Sequence, residues 1–177
     1  MPALNQTTII EQLRENHERF AKLMESLNEK DFNTAPAGKW TAGQQFDHIY
    51  LSIKPLTMAL GLPKLGLRVL IGSAKRPSRE YEAVVEKYHD ALANGGIAPG
   101  SFVPESVHFK DKDALIEKLK KNLAKLISNL NSFDEEGLDQ YILPHPLLGK
   151  MTVREMLYFT IYHCEHHYKV TLQNLGR

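Results

Sequence analysis

Two histidines, four residues apart near the C-terminus, are the side chains of this sequence best placed to do chemistry. They are His163 and His167, in the segment 162–168, Y-H-C-E-H-H-Y. On a helix, side chains at this spacing lie on one face with Cβ atoms about 5–6 Å apart. Two imidazoles so placed can share one metal ion. The same spacing is weak evidence for a metal site on its own, because two histidines that line a polar seam between helices would show it as well.

Two better-known metal motifs do not fit this segment. The H-E-x-x-H motif of metalloproteases needs a glutamate directly after the first histidine, where this chain has Cys164. A zinc finger needs more thiolates than the single cysteine of the chain supplies. Cys164 also points about 100° away from His163 around the helix, which favours a small buried side chain.

A third histidine, His48, lies on another predicted helix and is the candidate partner of the pair. It sits at the margin of an apolar stripe formed by Phe46, Ile49 and Ile53. Helical bundles build metal sites from side chains on facing helices. Three protein ligands would leave positions open for water or substrate, as in catalytic zinc sites. Imidazole suits zinc and nickel best, with iron or manganese as further candidates.

Apolar residues at helical spacing predict four long amphipathic helices that would position these histidines. The predicted helices run from about Thr8 to Leu27, from Thr41 to Leu60, from Lys112 to Leu130 and from Thr152 to Asn174. Capping boxes of the form S/T-x-x-E/Q mark three of the starts, at Thr8, Thr41 and Thr152. Pro55 is expected to kink or shorten the second helix.

The segment between the second and third long helices, residues 61–110, is interrupted by glycine and proline. Ser78 is expected to cap a shorter helix there, which Asn94-Gly95-Gly96 would end. The chain shows no convincing run of alternating β-branched residues. The sequence therefore predicts one all-α domain over residues 1–177, a four-helix bundle with a long insertion between its second and third helices.

Charge and composition argue against nucleic-acid-binding and membrane-spanning proteins. The 177 residues carry a net charge of +1, whereas nucleic-acid-binding domains usually have a strong basic excess, so we expect no nucleic-acid partner. The lysines of residues 118–125 are expected to form a solvated face. A single cysteine favours a cytoplasmic location. The most apolar stretch, Leu56–Gly72, is interrupted by charged residues, glycine and proline, so we expect no membrane partner.

Several side chains near the three histidines have two interpretations. Asp47, Tyr162 and Glu165 could orient imidazoles, or they could be surface and packing groups. His145 could face a pocket or be an ordinary loop histidine. Trp40 could be the hydrophobic staple of a helix start or a pocket wall.

Two segments together resemble the DinB/YfiT-like superfamily. Residues 40–48, W-T-A-G-Q-Q-F-D-H, resemble its W-[ST]-x-x-x-x-x-x-H segment, and residues 163–167, H-C-E-H-H, resemble its H-x-x-H-H motif. Residues 147–152, which enter the last helix, are similar as well. The resemblance implies a four-helix bundle of up-down-down-up topology. It also implies a divalent metal held by three histidines, which correspond to His48, His163 and His167, so that His167 rather than His166 is the third ligand.

The resemblance also implies a range of activities. Some members of the superfamily are thiol S-transferases that use bacillithiol, mycothiol or glutathione, others are isomerases or hydrolases, and related proteins are often dimers. We therefore expect a metal-dependent enzyme that acts on a small molecule, as a thiol S-transferase or a hydrolase. The alternative is a non-catalytic metal-binding or stress-associated bundle.

Overall fold

The computed structural model of the chain describes residues 3–63 and 72–177. These residues form seven α-helices and one two-stranded sheet. In chain order they are α1 (Gln6–Ser26), α2 (Glu29–Asn33), α3 (Ala42–Leu60), α4 (Tyr81–Ala93), α5 (Lys112–Leu130), α6 (Glu135–Gln140), β1 (Ile142–His145), β2 (Gly149–Thr152) and α7 (Val153–Asn174). Two single 3₁₀ turns, Gly100–Phe102 and Phe109–Asp111, lie between α4 and α5.

Contacts near the helix ends fix the directions of α1, α3 and α7. The backbone N–H of Leu4, just before α1, donates to the hydroxyl of Tyr158 near the start of α7 at 2.9 Å, so these two helices run parallel. The side chain of Asn174, at the end of α7, donates to the carbonyl of Trp40 just before α3 at 3.4 Å. Helix α3 is therefore antiparallel to both α1 and α7.

The direction of α5 follows in the same way. The side chain of Gln6, at the start of α1, donates to the carbonyl of Leu130 at the end of α5 at 2.8 Å. The side chain of Asn129, also near the end of α5, donates to the carbonyl of Thr57 near the end of α3 at 2.8 Å. The four long helices therefore run up, down, down and up, which confirms the topology that the family resemblance implies.

Helix α7 is the most enclosed of the long helices. Residues Val153 through Ile161 are all buried, because α1, α3, α4 and α6 all pack on this helix. A single apolar stripe facing one core therefore describes α1 and α5 well, but not the first half of α7. His163 and His167 follow directly after this enclosed stretch, so their backbone is held from several sides.

The predicted start of α1 is wrong by two residues, whereas two other predicted starts are confirmed. Helix α1 begins at Gln6 because the side-chain oxygen of Asn5 accepts the backbone N–H of Thr8 at 2.8 Å and caps the helix. Both capping boxes at Thr41 and Thr152 are formed as predicted.

The expected role of Ser78 as a helix cap is also wrong. Helix α4 begins at Tyr81, after Glu80, without a side-chain cap. The hydroxyl of Ser78 instead donates to the carboxylate of Asp139 and lies 2.7 Å from the hydroxyl of Thr152. Tertiary partners of this kind cannot be deduced from the local pattern that suggested a cap.

A β-hairpin directly before α7 is a regular element that the sequence pattern fails to indicate, as are the short helices α2 and α6. Ile142 lies opposite Thr152 and His145 opposite Gly149. Each strand has only four residues and β1 contains Pro144, so no alternating run of β-branched residues predicts the hairpin. Gly149 has φ +73°, a conformation that favours glycine. The hairpin brings His145 beside α7.

The insertion between α3 and α5 is confirmed in the described part of the chain. Helix α3 runs past Pro55 to Leu60, so Pro55 does not end it, and α4 packs against α7. Part of the apolar stretch Leu56–Gly72 lies outside the described residues. Among the helices of residues 3–63 and 72–177, none has the length and apolar character needed to cross a membrane.

His17 is a fully buried imidazole in the core of the bundle, away from the three histidines. Its Nδ1–H donates to the carbonyl of Leu13 at 2.7 Å, and its Nε2 has no hydrogen-bond partner among the described residues. Burial lowers the pKa of His17 to about 4. The unfolded chain, with a histidine pKa of about 6.5, therefore binds the proton that the folded chain rejects, and stability falls as the pH drops from 6.5 towards 4.

We expect His17 alone to cost the wild type about 2 kcal/mol of unfolding free energy between pH 8 and pH 5. His17→Leu should remove that part of the pH dependence. Urea unfolding of both proteins at pH 8, 6.5 and 5 measures the difference. The exposed His108 provides the control, because His108→Asn should retain the wild-type slope. Equal slopes for His17→Leu and the wild type would contradict the burial argument.

Candidate metal centre

The structure brings His48, His163 and His167 together in one buried cluster. The Nε2 atom of His163 lies 3.2 Å from Nε2 of His48 and 3.1 Å from Nε2 of His167. One ring nitrogen of each histidine lies within 4.8 Å of the other two. His48 comes from the first half of α3, His163 from the middle of α7 and His167 from the second half of α7. These parts of the two helices meet because α3 and α7 are antiparallel.

The separations between these nitrogens match what one metal ion requires. Two nitrogens bound to zinc at about 2.0–2.1 Å, with an angle of about 90–110° between the bonds, lie about 2.9–3.4 Å apart. Both measured Nε2–Nε2 distances fall within this interval. These two separations, together with the placement of one ring nitrogen of each histidine within 4.8 Å of the other two, suit a single first-row divalent ion.

Partners on the far side of two rings fix where their protons lie. His48 Nδ1 donates to the carbonyl of Phe102 at 2.6 Å, and His167 Nδ1 donates to the side-chain oxygen of Gln45. A neutral imidazole carries one proton, so both rings present an Nε2 lone pair to the centre of the cluster. His163 can donate one proton to one of these two atoms. Without a cation, one Nε2 lone pair at the centre has no donor, so the donor set fits a cation.

The environment keeps the three rings in the neutral form that binds metals. Burial, reinforced by repulsion from the neighbouring imidazoles, holds the pKa of His163 and that of His167 well below their ordinary value. Burial also lowers the pKa of His48, against the opposing effect of its bond to Phe102. At neutral pH the cluster is therefore uncharged.

The residues that orient the imidazoles are different from those that sequence considerations suggested. Glu165 forms an ion pair with Lys169 at 2.7 Å, and the hydroxyl of Tyr162 lies 2.5 Å from Nε2 of His89. Asp47 takes part in none of the hydrogen bonds of the cluster. These three are therefore surface and packing groups, as the second of their two interpretations predicts, and do not orient the imidazoles.

Gln45 and Phe102 were missed for different reasons. Gln45 precedes His48 by three residues, one helical turn, on the same side of α3, and this spacing is the signal that was available. Phe102 contributes a backbone carbonyl from a 3₁₀ turn. No side-chain pattern can reveal such a partner.

A cavity of about 430 Å³ borders the cluster. Trp40 forms part of its wall, with its ring centre 5.0 Å from that of His48 and 6.2 Å from that of His167. This supports the interpretation of Trp40 as a pocket wall. The ring of Tyr88, from α4, meets His163 edge-on at 5.8 Å. Apart from the histidines, Ser52, Tyr88 and Thr160, the described lining is apolar and contains no Asp, Glu, Lys or Arg.

Two further histidines line this cavity. His145 faces it from β1, which supports the pocket interpretation of that residue. His166 lines it from α7 but makes none of the short nitrogen contacts of the cluster, and its ring meets Tyr88 edge-on at 5.6 Å. Cys164 is fully buried, and burial raises the pKa of its thiol, in agreement with its predicted role as a small core residue.

Comparisons with known proteins agree with this architecture. The family model described as the DinB superfamily matches residues 12–170. A solved structure from Bacillus subtilis, YfiT, described as a probable metal-dependent hydrolase with an unusual four-helix bundle topology, is similar with a TM-score of 0.61. The two chains are 18% identical, and the match covers 97% of this chain and 87% of the other. At this identity the likeness shows a shared fold. No curated protein matched the sequence.

Proposed function

The chain belongs to the DinB superfamily, and on that premise we propose that it is a divalent-metal-dependent hydrolase of a small molecule. His48, His163 and His167 would hold the ion. The observation that carries this proposal is the convergence of three buried, neutral Nε2 atoms beside a cavity. The description of the Bacillus subtilis neighbour as a probable metal-dependent hydrolase supports it.

A divalent ion bound by three imidazoles lowers the pKa of a coordinated water to about 7 and polarises a carbonyl oxygen. The chain's own residues make the site ready for that chemistry. Gln45 and the carbonyl of Phe102 hold the Nδ1 protons of two ligands, so that both Nε2 atoms face inward. The largely apolar walls lower the local dielectric, which strengthens electrostatic interactions inside the cavity.

The described lining of the cavity lacks the carboxylate that serves as general base in H-E-x-x-H metalloproteases. It also lacks a lysine or arginine that would pair with the carboxylates of a charged thiol such as glutathione. Because the described lining offers no cation to a charged thiol, we favour hydrolysis of an uncharged compound over thiol S-transfer. The transferase remains the alternative that uses the same three histidines.

Other expectations complete the proposal without bearing on the chemistry. We propose zinc or nickel as the ion because both suit imidazole ligands. A single domain over residues 1–177 and a cytoplasmic location with Cys164 reduced are proposed from composition. A homodimer is proposed from the family resemblance.

The proposal is tested on protein stripped with a chelator and reloaded separately with Zn²⁺, Ni²⁺, Mn²⁺ or Fe²⁺. Each form is assayed against uncharged p-nitrophenyl esters of increasing acyl length, and against uncharged amides and lactones. We expect metal-dependent hydrolysis that His48→Ala lowers more than about 100-fold, because a direct ligand is lost. His108→Asn, at an exposed site outside the cavity, should retain wild-type activity.

Conjugation of glutathione to monochlorobimane serves as the second assay. Metal-dependent conjugation without hydrolysis would overturn the hydrolase proposal in favour of the transferase. Metal binding with neither activity would favour the non-catalytic bundle.

A further inference from the structure

His145 lines the same cavity, and its hydrogen bonds fix which of its two ring nitrogens carries the proton. Nδ1 of His145 accepts the backbone N–H of Leu147 at 3.2 Å and that of Leu148 at 3.1 Å. A ring nitrogen that accepts hydrogen bonds carries no proton. The proton of the neutral ring is therefore on Nε2, and the hairpin turn itself sets this tautomer.

None of the described residues accepts a hydrogen bond from this Nε2–H group. Nε2 is nevertheless not among the fully buried atoms and is therefore accessible from the cavity. The ring lines the cavity and lies edge-on against Phe159 at 4.4 Å, and Phe159 in turn stacks on His163 at 4.7 Å. His145 therefore offers a free donor one aromatic ring away from the cluster.

The donor is also uncharged at neutral pH. Burial lowers the pKa of His145 to about 4, and the nearby ammonium of Lys87 adds repulsion. Lys87 is held there because it donates to the carbonyl of Leu148 at 2.5 Å. Protonation of Nδ1 would in addition break both bonds from the turn. A neutral donor of this kind suits a neutral acceptor.

The rest of the described lining shows what kind of molecule the cavity accepts. The hydroxyls of Ser52 and Thr160 donate to carbonyls of their own helices, at 2.7 Å and 2.8 Å. No charged side chain is available among the described lining residues. A well-matched ligand is therefore uncharged and largely apolar, and carries an acceptor oxygen.

We propose that His145 is a substrate-positioning residue whose Nε2–H donates to the carbonyl oxygen of an uncharged, largely apolar acyl compound bound in the cavity. The acyl identity of the substrate rests on the proposed hydrolase function. Binding to Nε2–H requires no hydrolysis, so the two proposals can fail separately.

Two small probes of the same shape test this donor in zinc-loaded protein. Acetophenone carries a carbonyl where α-methylstyrene carries a methylene group. We expect acetophenone to bind the wild type about two- to tenfold more tightly, the effect of one neutral hydrogen bond. In NMR spectra of ¹⁵N-labelled protein, acetophenone should shift the Nε2–H resonance of His145 and α-methylstyrene should leave it nearly unchanged.

Substitutions at His145 separate the donor from the turn. In His145→Asn the side-chain oxygen can still accept the backbone N–H two residues later, so the turn is retained. The amide N–H of the shorter side chain does not reach the former Nε2 position, so the donor at that position is lost. We expect the preference for acetophenone to vanish in this variant, with α-methylstyrene affinity within about twofold of wild type. His145→Gln places an amide N–H near the former Nε2 and should restore part of the preference. His108→Asn is the matched control and should bind both probes as the wild type does.

Three results would overturn the proposal. The first is equal affinity of the wild type for the two probes, or no binding of either. The second is an unchanged preference in folded His145→Asn. The third is a preference lost in Tyr88→Phe instead, since the Tyr88 hydroxyl is another neutral donor on the cavity wall. Should His145→Asn fail to fold, the wild-type resonance shift and His145→Gln decide the matter. A protein that hydrolyses esters but fails these tests would retain the proposed function and lose this inference.

Discussion

His167→Ala should bind a divalent metal more than about 100-fold more weakly than the wild type, whereas His166→Ala should bind it as the wild type does. Nε2 of His167 lies 3.1 Å from Nε2 of His163, and its Nδ1 proton is held by Gln45. A helix turns 100° per residue, so His166 and His167 lie on opposite sides of the direction set by His163. The first ring thus lies beside the cluster and the second within it.

Metal content after dialysis, together with zinc competition against a chromophoric chelator, measures the difference once both variants are shown to be folded. Gln45→Leu adds an intermediate step, because loss of a partner that orients a ligand typically costs 10–100-fold in metal affinity. The expected order of affinity is wild type with His166→Ala, then Gln45→Leu, then His167→Ala. If His166→Ala empties the site and His167→Ala does not, the assignment of ligands is wrong.

The histidine cluster shows which parts of a site are local enough to be predicted. His163 and His167 could be paired from their spacing, because helix geometry alone places them on one face. His48 lies 115 residues away from His163. Its assignment as a ligand therefore requires the family motif in addition to its position on a predicted helix. The carbonyl of Phe102 and the fixed tautomer of His145 depend on backbone positions from two separate loops. No residue type encodes such positions.

In the fold, too, some elements are determined by local sequence and others by tertiary packing. The start of α3 is set by Thr41 and Gln44, two residues within one four-residue segment that cap the helix through hydrogen bonds to each other. The hairpin before α7 has short strands that are held by packing against the helix, so no local sequence pattern predicts it. The all-round burial of the first half of α7 likewise depends on four other helices, which a single amphipathic stripe cannot describe.

Glu155, at the start of α7, has a carboxylate that makes one contact predictable from the local sequence and others that depend on the tertiary structure. The T-x-x-E pattern predicts Glu155 as half of a capping box, and its Oε2 does accept the backbone N–H of Thr152 at 3.0 Å. The structure adds Arg76, which donates to both carboxylate oxygens at 2.5 and 2.8 Å, and the backbone N–H of Arg79 at 2.7 Å. The carboxylate is fully buried, whereas the two arginine side chains are 38% and 34% exposed.

We expect Glu155→Ala to lower the unfolding free energy by about 3 kcal/mol at pH 7. Removal of one partner from a buried ion pair costs about 3–5 kcal/mol, and the partial exposure of Arg76 and Arg79 argues for the lower end of that range. Urea unfolding monitored by circular dichroism measures the loss. Glu11→Ala is the matched control: Glu11 belongs to the same S/T-x-x-E pattern in sequence but is exposed on α1, so its removal should cost less than about 0.5 kcal/mol.

The pH dependence of that loss separates the ion pair from simple packing. Burial alone would raise the pKa of Glu155, but the bonds from Arg76, Arg79 and Thr152 outweigh it and hold the pKa below its ordinary value of 4.5. A carboxylate with a lowered pKa stabilises the fold above the pKa of the unfolded chain, and this stabilisation disappears as the pH falls through the folded value. The difference between wild type and Glu155→Ala should therefore shrink below pH 4.5, while a packing defect would leave it constant. A constant difference, or a loss below about 1 kcal/mol at pH 7, would show that Glu155 contributes to α7 through its shape rather than its charge.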